Sequence, residues 1–188
     1  MITPRAIQTI KDFVYSQIEQ YKAPSLFHLD FANEKGQLLA DNLKANKDIV
    51  LMGTMLMDCM LGEAMKNEKP LEHIEMSAKK TEELLLKIPE LNKSERKNIV
   101  ACVSQHHGAE KFYSLEAEIC CNADCYRFAS IKGALGGMIT GRKMEMSDLV
   151  ALYSKKADEK WNTLTIEICK VELEPQYQIL KQMFKQYS

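Results

Sequence analysis

Glycine and proline are scarce in this chain, eight and five in 188 residues, and no convincing strand-like run interrupts it. The strong apolar periodicities lie near 3.6 rather than 2, so strand-rich architectures are excluded and an all-α fold is expected. Long apolar runs are missing as well. The longest near-apolar stretch, Ile49 to Met57, is far below the roughly 20 residues that cross a bilayer. The opening segment MITPRAIQTIKDF has no apolar signal region, and a cytoplasmic protein without a membrane partner is expected. Neither sign of charge dominates: 25 basic and 26 acidic side chains leave a net charge of −1. A nucleic-acid polymer is thereby disfavoured as a partner, since tracking its backbone takes a basic surplus, and so is an acidic disordered tail. The six cysteines, at 59, 102, 120, 121, 125 and 169, form no Cys-x-x-Cys pair and read as reduced, buried thiols.

What is present is a succession of amphipathic helices on a chain of the length of one compact domain, 1–188. Thr3-Pro4 supplies a cap and a first-turn proline for a helix reaching about Tyr21, with Ile7, Ile10, Phe13, Val14 and Ile18 as its buried face. Further helices are expected over about Leu26 to Ala45, Asp48 to Lys66 and Pro70 to Ile88. Ser94 caps a fifth that stops at Gly108, and Ser114 caps a sixth reaching about Ser130. GALGGMITGRK, 133–143, holds half of the glycines and predicts a flexible or tightly turned connection. Ser147 then starts a long helix to about Leu173, and Glu174-Pro175 begins the last one. This C-terminal third is rich in lysine and glutamate at helical spacing, which suggests a solvated face.

Several polar residues break apolar stripes and should face inward. His28 shares a face with Phe31, Ala32 and Leu39; Asp58 with Leu51 and Met55; His106 with Ile99, Cys102 and Val103; Asp124 with Ala117, Cys120, Cys121 and Phe128. A buried carboxylate or imidazole is costly unless paired or ligating a cation, so this set fits a metal site. Three weaker signals are set aside. GGMITGRK departs from a phosphate-binding loop at several positions and follows no strand. Met52, Met55, Met57 and Met60 read as adaptable core filler. Cys121 and Cys125 share a helix face, but no second pair completes a zinc tetrahedron.

In order and context the polar set resembles the HD-domain metal-dependent phosphohydrolase superfamily, over about residues 26–132. The segment FHLDFANEKGQLLAD places His28 as the first histidine. LMDCMLGEA carries Asp58 and Gly62 of the His-Asp segment, with Met57 where its histidine belongs. HIEMS supplies His73 and Ser77, the His-His-Gly signature is His106, His107 and Gly108, and NADCYRF gives the late aspartate, Asp124.

The resemblance implies a single-domain antiparallel helical bundle with its ligands pointing to the centre, the helices of about 147–187 packing on an HD-like core of 26–132. Those helices either close the bundle or carry a homo-oligomer contact. It further implies a divalent transition-metal ion, iron, manganese or zinc, held firmly by Asp58, His73, His106 and His107. His106 is preferred within the adjacent pair, because neighbouring helical residues point about 100° apart. A second, weak or empty position would have only His28, Asp58 and Asp124, because a neutral thioether at Met57 does not replace imidazole. The implied reaction is hydrolysis of a small phosphorylated metabolite or nucleotide, with Asp58 as the catalytic residue orienting water. Arg127 and Lys132, and more weakly Lys66 and Lys69, are candidates to bind phosphate at the mouth. The alternative is a degenerate HD domain that binds a metal or nucleotide without turnover, as a regulatory or scaffold module.

Overall fold

The computed structural model describes residues 2–140 and 144–187, and these contain helices and no strand. Helix α1 (Pro4–Tyr21) begins as expected. Thr3 accepts the Ala6 N–H, Pro4 opens the first turn, and Ile10, Val14 and Ile18 are buried at helical spacing. Helix α2 (Leu26–Leu43) follows, capped by the Ser25 hydroxyl on the His28 N–H.

The helix expected over Asp48 to Lys66 is two helices, α3 (Lys47–Leu56) and α4 (Leu61–Lys66), meeting in a corner at 57–60. Short-range bonds close the corner: Cys59 N–H to the Leu56 carbonyl and Leu61 N–H to the Asp58 carbonyl. The Met60 N–H donates to Ser77 Oγ on α5 (His73–Leu85), which a single 3-10 turn at Pro70–Glu72 introduces. Helix α6 (Lys93–Ser104) is capped by Asn92 rather than Ser94. Asn92 accepts from the Ser94 and Glu95 N–H groups, and the Glu95 carboxylate accepts the Asn92 N–H in return. A reciprocal cap satisfies donors at both ends of the turn, which a lone serine cannot. Beyond α6 the chain unwinds to Gly108, whose φ of +105° only glycine adopts without strain.

Helix α7 (Leu115–Ala129) is the axis of the molecule. It packs on α2, α3 and α6, and on the three helices after it, α8 (Ile131–Thr140), α9 (Met146–Thr163) and α10 (Glu167–Lys185). Its alanines and cysteines are small enough for neighbours to approach from every side. Gly53 of α3 comes so near that a Cβ there would lie 2.5 Å from Cys102 Cβ and 2.7 Å from Cys120 Sγ. All six cysteines are buried and unbridged, as the sequence suggests.

Two expectations for the C-terminal part are corrected. The glycine-rich stretch is a helix through Thr140, while 141–143 lie outside the described residues. A Cβ at Gly133 would stand 2.3 Å from the Tyr126 carbonyl oxygen, at Gly136 2.2 Å from the Phe27 ring, and at Gly137 2.1 Å from Tyr153 Oη. The glycines thus allow close packing, and packing outweighs their poor helix propensity. The long helix from Ser147 is interrupted at 164–166, so α9 and α10 are separate and Pro175 lies inside α10. Asn122 makes the break: its Oδ1 accepts the Thr165 and Ile166 N–H groups, and its Nδ2 donates to Thr165 Oγ1 and the Glu118 carbonyl. A smaller core around Tyr153, Tyr177, Leu180 and Phe184 joins α9 and α10 to the main one, with Trp161 touching both. The C-terminal helices thus pack on α7.

Candidate metal centre

The α3–α4 corner turns the Asp58 side chain into the core, where it is 4% exposed. Its two oxygens face different partners. Oδ1 lies 3.3 Å from His73 Nε2, at the start of α5, and 3.5 Å from His106 Nε2, just past α6. Oδ2 accepts from Arg127 Nη1 of α7 at 2.5 Å.

The far side of each imidazole fixes its tautomer. His73 Nδ1 is 2.6 Å from the Pro70 carbonyl and His106 Nδ1 is 2.6 Å from the Val103 carbonyl. A carbonyl only accepts, so both Nδ1 atoms carry the proton, and each ring in its neutral form turns an Nε2 lone pair inward. His106 Nε2 is fully buried without a hydrogen-bond partner. His107 joins them: one nitrogen from each of His73, His106 and His107 lies within 4.8 Å of the others. Burial, then His106 and Lys160, lowers the His107 pKa to about 3, so this ring is neutral and able to ligate. Burial pulls the His73 pKa down, but the hydrogen-bonding and charge of Asp58 outweigh it and the value rises. Three imidazoles close to one another, with a carboxylate oxygen beside two of them, are a donor set suited to a divalent transition metal.

The other carboxylate behaves differently. Asp124, on α7, is fully buried, with Oδ1 3.1 Å from the same Arg127 Nη1 and Oδ2 2.6 Å from Lys160 Nζ of α9. These are charge contacts rather than aligned hydrogen bonds. Burial alone would raise both aspartate pKa values. Arg127 with His106 and His73 holds Asp58 well below the carboxylate range, and Lys160 with Arg127 does the same for Asp124. His28 lies apart from the three histidines: its Nε2 is 3.2 Å from the Gly133 carbonyl, to which it donates, and its ring packs edge-on against Phe128. Burial, followed by Arg127, lowers its pKa to about 4.

The structure groups His73, His106 and His107 with Asp58 Oδ1 beside the first two, while Asp124 shares Arg127 with Asp58 and His28 lines the same cleft as His73 and His107. Arg127 is buried between the two aspartates and also lines the cleft that reaches His73 and His107. Lys132 stays on the surface, 3.1 Å from Glu34 and over the Phe31 ring, because α8 turns it away from the cleft. Lys69 pairs with Glu72 and Lys66 lies over Tyr21. Lys160 escapes a reading that treats the C-terminal lysines as a solvated face. The signal was available, since Tyr153, Ala157, Lys160 and Leu164 form one stripe at helical spacing that Lys160 interrupts. A cleft of about 780 Å³ leads from solvent to His73 and His107; Phe128 and Tyr153 form part of its wall and Lys22 and Lys155 part of its rim.

No family model and no curated protein matches the sequence. Solved structures do match the fold. The crystal structure of a predicted HD superfamily hydrolase from an uncultured Thermotogales bacterium aligns with TM-score 0.64 at 15% identity, over 96% of this chain and 90% of that one. Bacillus subtilis YpgQ aligns with TM-score 0.68 at 13% identity, covering 97% and 93%. The same protein in complex with ADP aligns with TM-score 0.66 at 12% identity, covering 96% and 94%. The chain has the HD-domain fold, an all-α helical bundle. Among the described residues, no helix is long and apolar enough to cross a membrane.

Proposed function

We propose that this protein is a metal-dependent phosphohydrolase holding one divalent transition-metal ion on His73, His106, His107 and Asp58 Oδ1, and acting on a small phosphorylated metabolite or nucleotide. One observation carries the reading: His106 Nε2, buried without a hydrogen-bond partner because Nδ1–H is tied to the Val103 carbonyl, faces Asp58 Oδ1 within a group of three imidazoles. Lone pairs facing an anion repel unless a cation lies among them, and the cost is greatest where water is excluded. A bound ion of this kind supplies a water of lowered pKa and neutralises phosphate charge.

The chain's own residues do the rest. Asp58, its Oδ2 held by Arg127, keeps Oδ1 aimed at the histidines and orients the attacking water. Lys22 and Lys155 at the rim attract the phosphate charge, and Phe128 and Tyr153 offer flat apolar faces to a base or sugar. The ADP complex of Bacillus subtilis YpgQ agrees with a nucleotide in such a cleft.

A second reading, a regulatory or scaffold module that binds without turnover, is favoured by the neutralisation of both aspartates by Arg127 and Lys160. The two part in one experiment. Transition metals are counted on protein purified without chelator or metal-affinity tag, which is then screened with that ion against phosphate monoesters and nucleotides. About one ion per chain and phosphate release are expected, both lost in His107→Ala at unchanged helicity. A bound ion without phosphate release would establish the module, and no ion even after reconstitution would sink the metal site.

A further inference from the structure

We propose that Arg127, backed by Lys160, is a built-in cation occupying the place between Asp58 and Asp124 where a second ion would sit, so that the chain takes a single ion and takes it at the histidines. The inference builds on the histidine site proposed above but concerns different atoms.

Both carboxylates that a second position would use are already committed. Asp58 Oδ2 and Asp124 Oδ1 converge from the α3–α4 corner and from α7 onto one nitrogen, Arg127 Nη1, at 2.5 and 3.1 Å. The other oxygen of Asp124 meets Lys160 Nζ at 2.6 Å. His28 gives its Nε2–H to the Gly133 carbonyl, and the thioether of buried Met57 stands where an imidazole would be needed. All four charged groups are shut away from solvent: Asp124 is 0%, Lys160 1%, Asp58 4% and Arg127 5% exposed.

The charge count points the same way. Two carboxylates face two fixed cations, so the cluster is neutral as it stands. A divalent ion placed between the aspartates would have to displace the guanidinium and leave its charge unpaired in the core, where unpaired charge is strongly disfavoured. At the histidines no cation blocks the approach. Arg127 is also a positioning residue: by holding Oδ2 it leaves Asp58 only Oδ1 to present to His73 and His106.

The test uses Mn²⁺ alone. Wild-type protein is dialysed against excess Mn²⁺, freed of unbound ion, counted for metal and examined by electron paramagnetic resonance. The same is done for His73→Ala/His107→Ala and for Met57→His/Arg127→Met/Lys160→Met, with Arg127→Gln standing in if the triple variant does not fold. We expect one ion with an uncoupled six-line spectrum in the wild type. The histidine double variant should lose it, and the variant stripped of cations should gain an ion, with the broadened spectrum of a coupled pair. Two ions in the wild type, or one that survives in the histidine variant, would overturn the inference. If the wild type binds none, the histidine reading fails on its own. The stripped variant then decides the blocking role alone: an ion gained there upholds Arg127 and Lys160 as the built-in cations, and none gained overturns it.

Discussion

The Nε2 of His106 lies 3.5 Å from Oδ1 of Asp58, buried and without a hydrogen-bond partner, because Nδ1 of the same ring is bound to the Val103 carbonyl. A cation bound there would satisfy a nitrogen that the protein's own groups leave without a hydrogen bond. Added Mn²⁺ should raise the unfolding temperature of the wild type, the gain reaching about 2.7 kcal/mol at a free concentration of 100 Kd. His106→Ala should be insensitive to the ion, besides losing about 2–3 kcal/mol from the cavity it leaves. Differential scanning calorimetry with and without Mn²⁺ checks both, and equal Mn²⁺ shifts in the two proteins would refute the assignment.

Asp58 joins the histidines to the cation pair, so its removal has two separate effects. Asp58→Ala leaves Arg127 facing Asp124 alone and should cost about 3–5 kcal/mol in urea unfolding, as for other broken buried pairs. Asp58→Asn retains a hydrogen-bond acceptor for Arg127 and should cost less, while losing metal and activity as fully as alanine does. A variant in which stability falls but bound metal persists would take Asp58 out of the ligand set.

His28 should begin to cost stability in mild acid, above the pH at which the aspartates titrate. Burial, then Arg127, lowers the folded pKa of His28 from 6.5 to about 4, so the unfolded chain takes up a proton at higher pH than the folded one. The resulting loss begins below pH 6.5 and is complete near pH 4, about 3 kcal/mol at roughly 1.4 kcal/mol per unit. His107, lowered to about 3, adds in the same direction, while His73, raised by Asp58, opposes both by holding its proton more tightly in the folded chain. Asp58 and Asp124 act later: their native pKa values lie below the ordinary 3.8, so their contribution is full above it and is lost as pH drops further. Urea midpoints of chelated protein from pH 7 to 4 measure this. His28→Gln keeps a donor for the Gly133 carbonyl but does not titrate, and its curve should be visibly flatter. A curve parallel to the wild type would contradict the account.

Asn122 determines where the C-terminal helices turn, and Asn122→Ala should cost about 1 kcal/mol by leaving the part-buried Thr165 and Ile166 amides without their acceptor. Hydrogen exchange should show those two amides deprotected while α1 is unchanged. Retained protection would mean the break at 164–166 is held by packing alone.

That break shows where sequence reasoning reaches its limit. Caps and punctuation are local, so Thr3-Pro4, Ser114 and Gly108 were legible, and the polar residues interrupting apolar stripes pointed to a buried site before any contact was known. What was missed depends on residues distant in sequence. Gly133, Gly136 and Gly137 read as a loop because Phe27, Tyr153 and the Tyr126 carbonyl, which require them to be small, lie on other helices or the preceding turn. The Asn122 break and the Arg127 bridge across 69 residues arise in the same way. Lys160 was hidden by composition: among many surface lysines, one buried lysine is visible only through its stripe.

The pairing of two aspartates with two internal cations also bears on how the cleft responds to its surroundings. Because the interior cancels its own charge, an ion arriving at the histidines would bring a positive potential that nothing nearby shields. Affinity for an anionic ligand would then depend on metal supply, low in the stripped protein and high in the loaded one. Binding of ADP measured across a metal titration would trace that dependence directly.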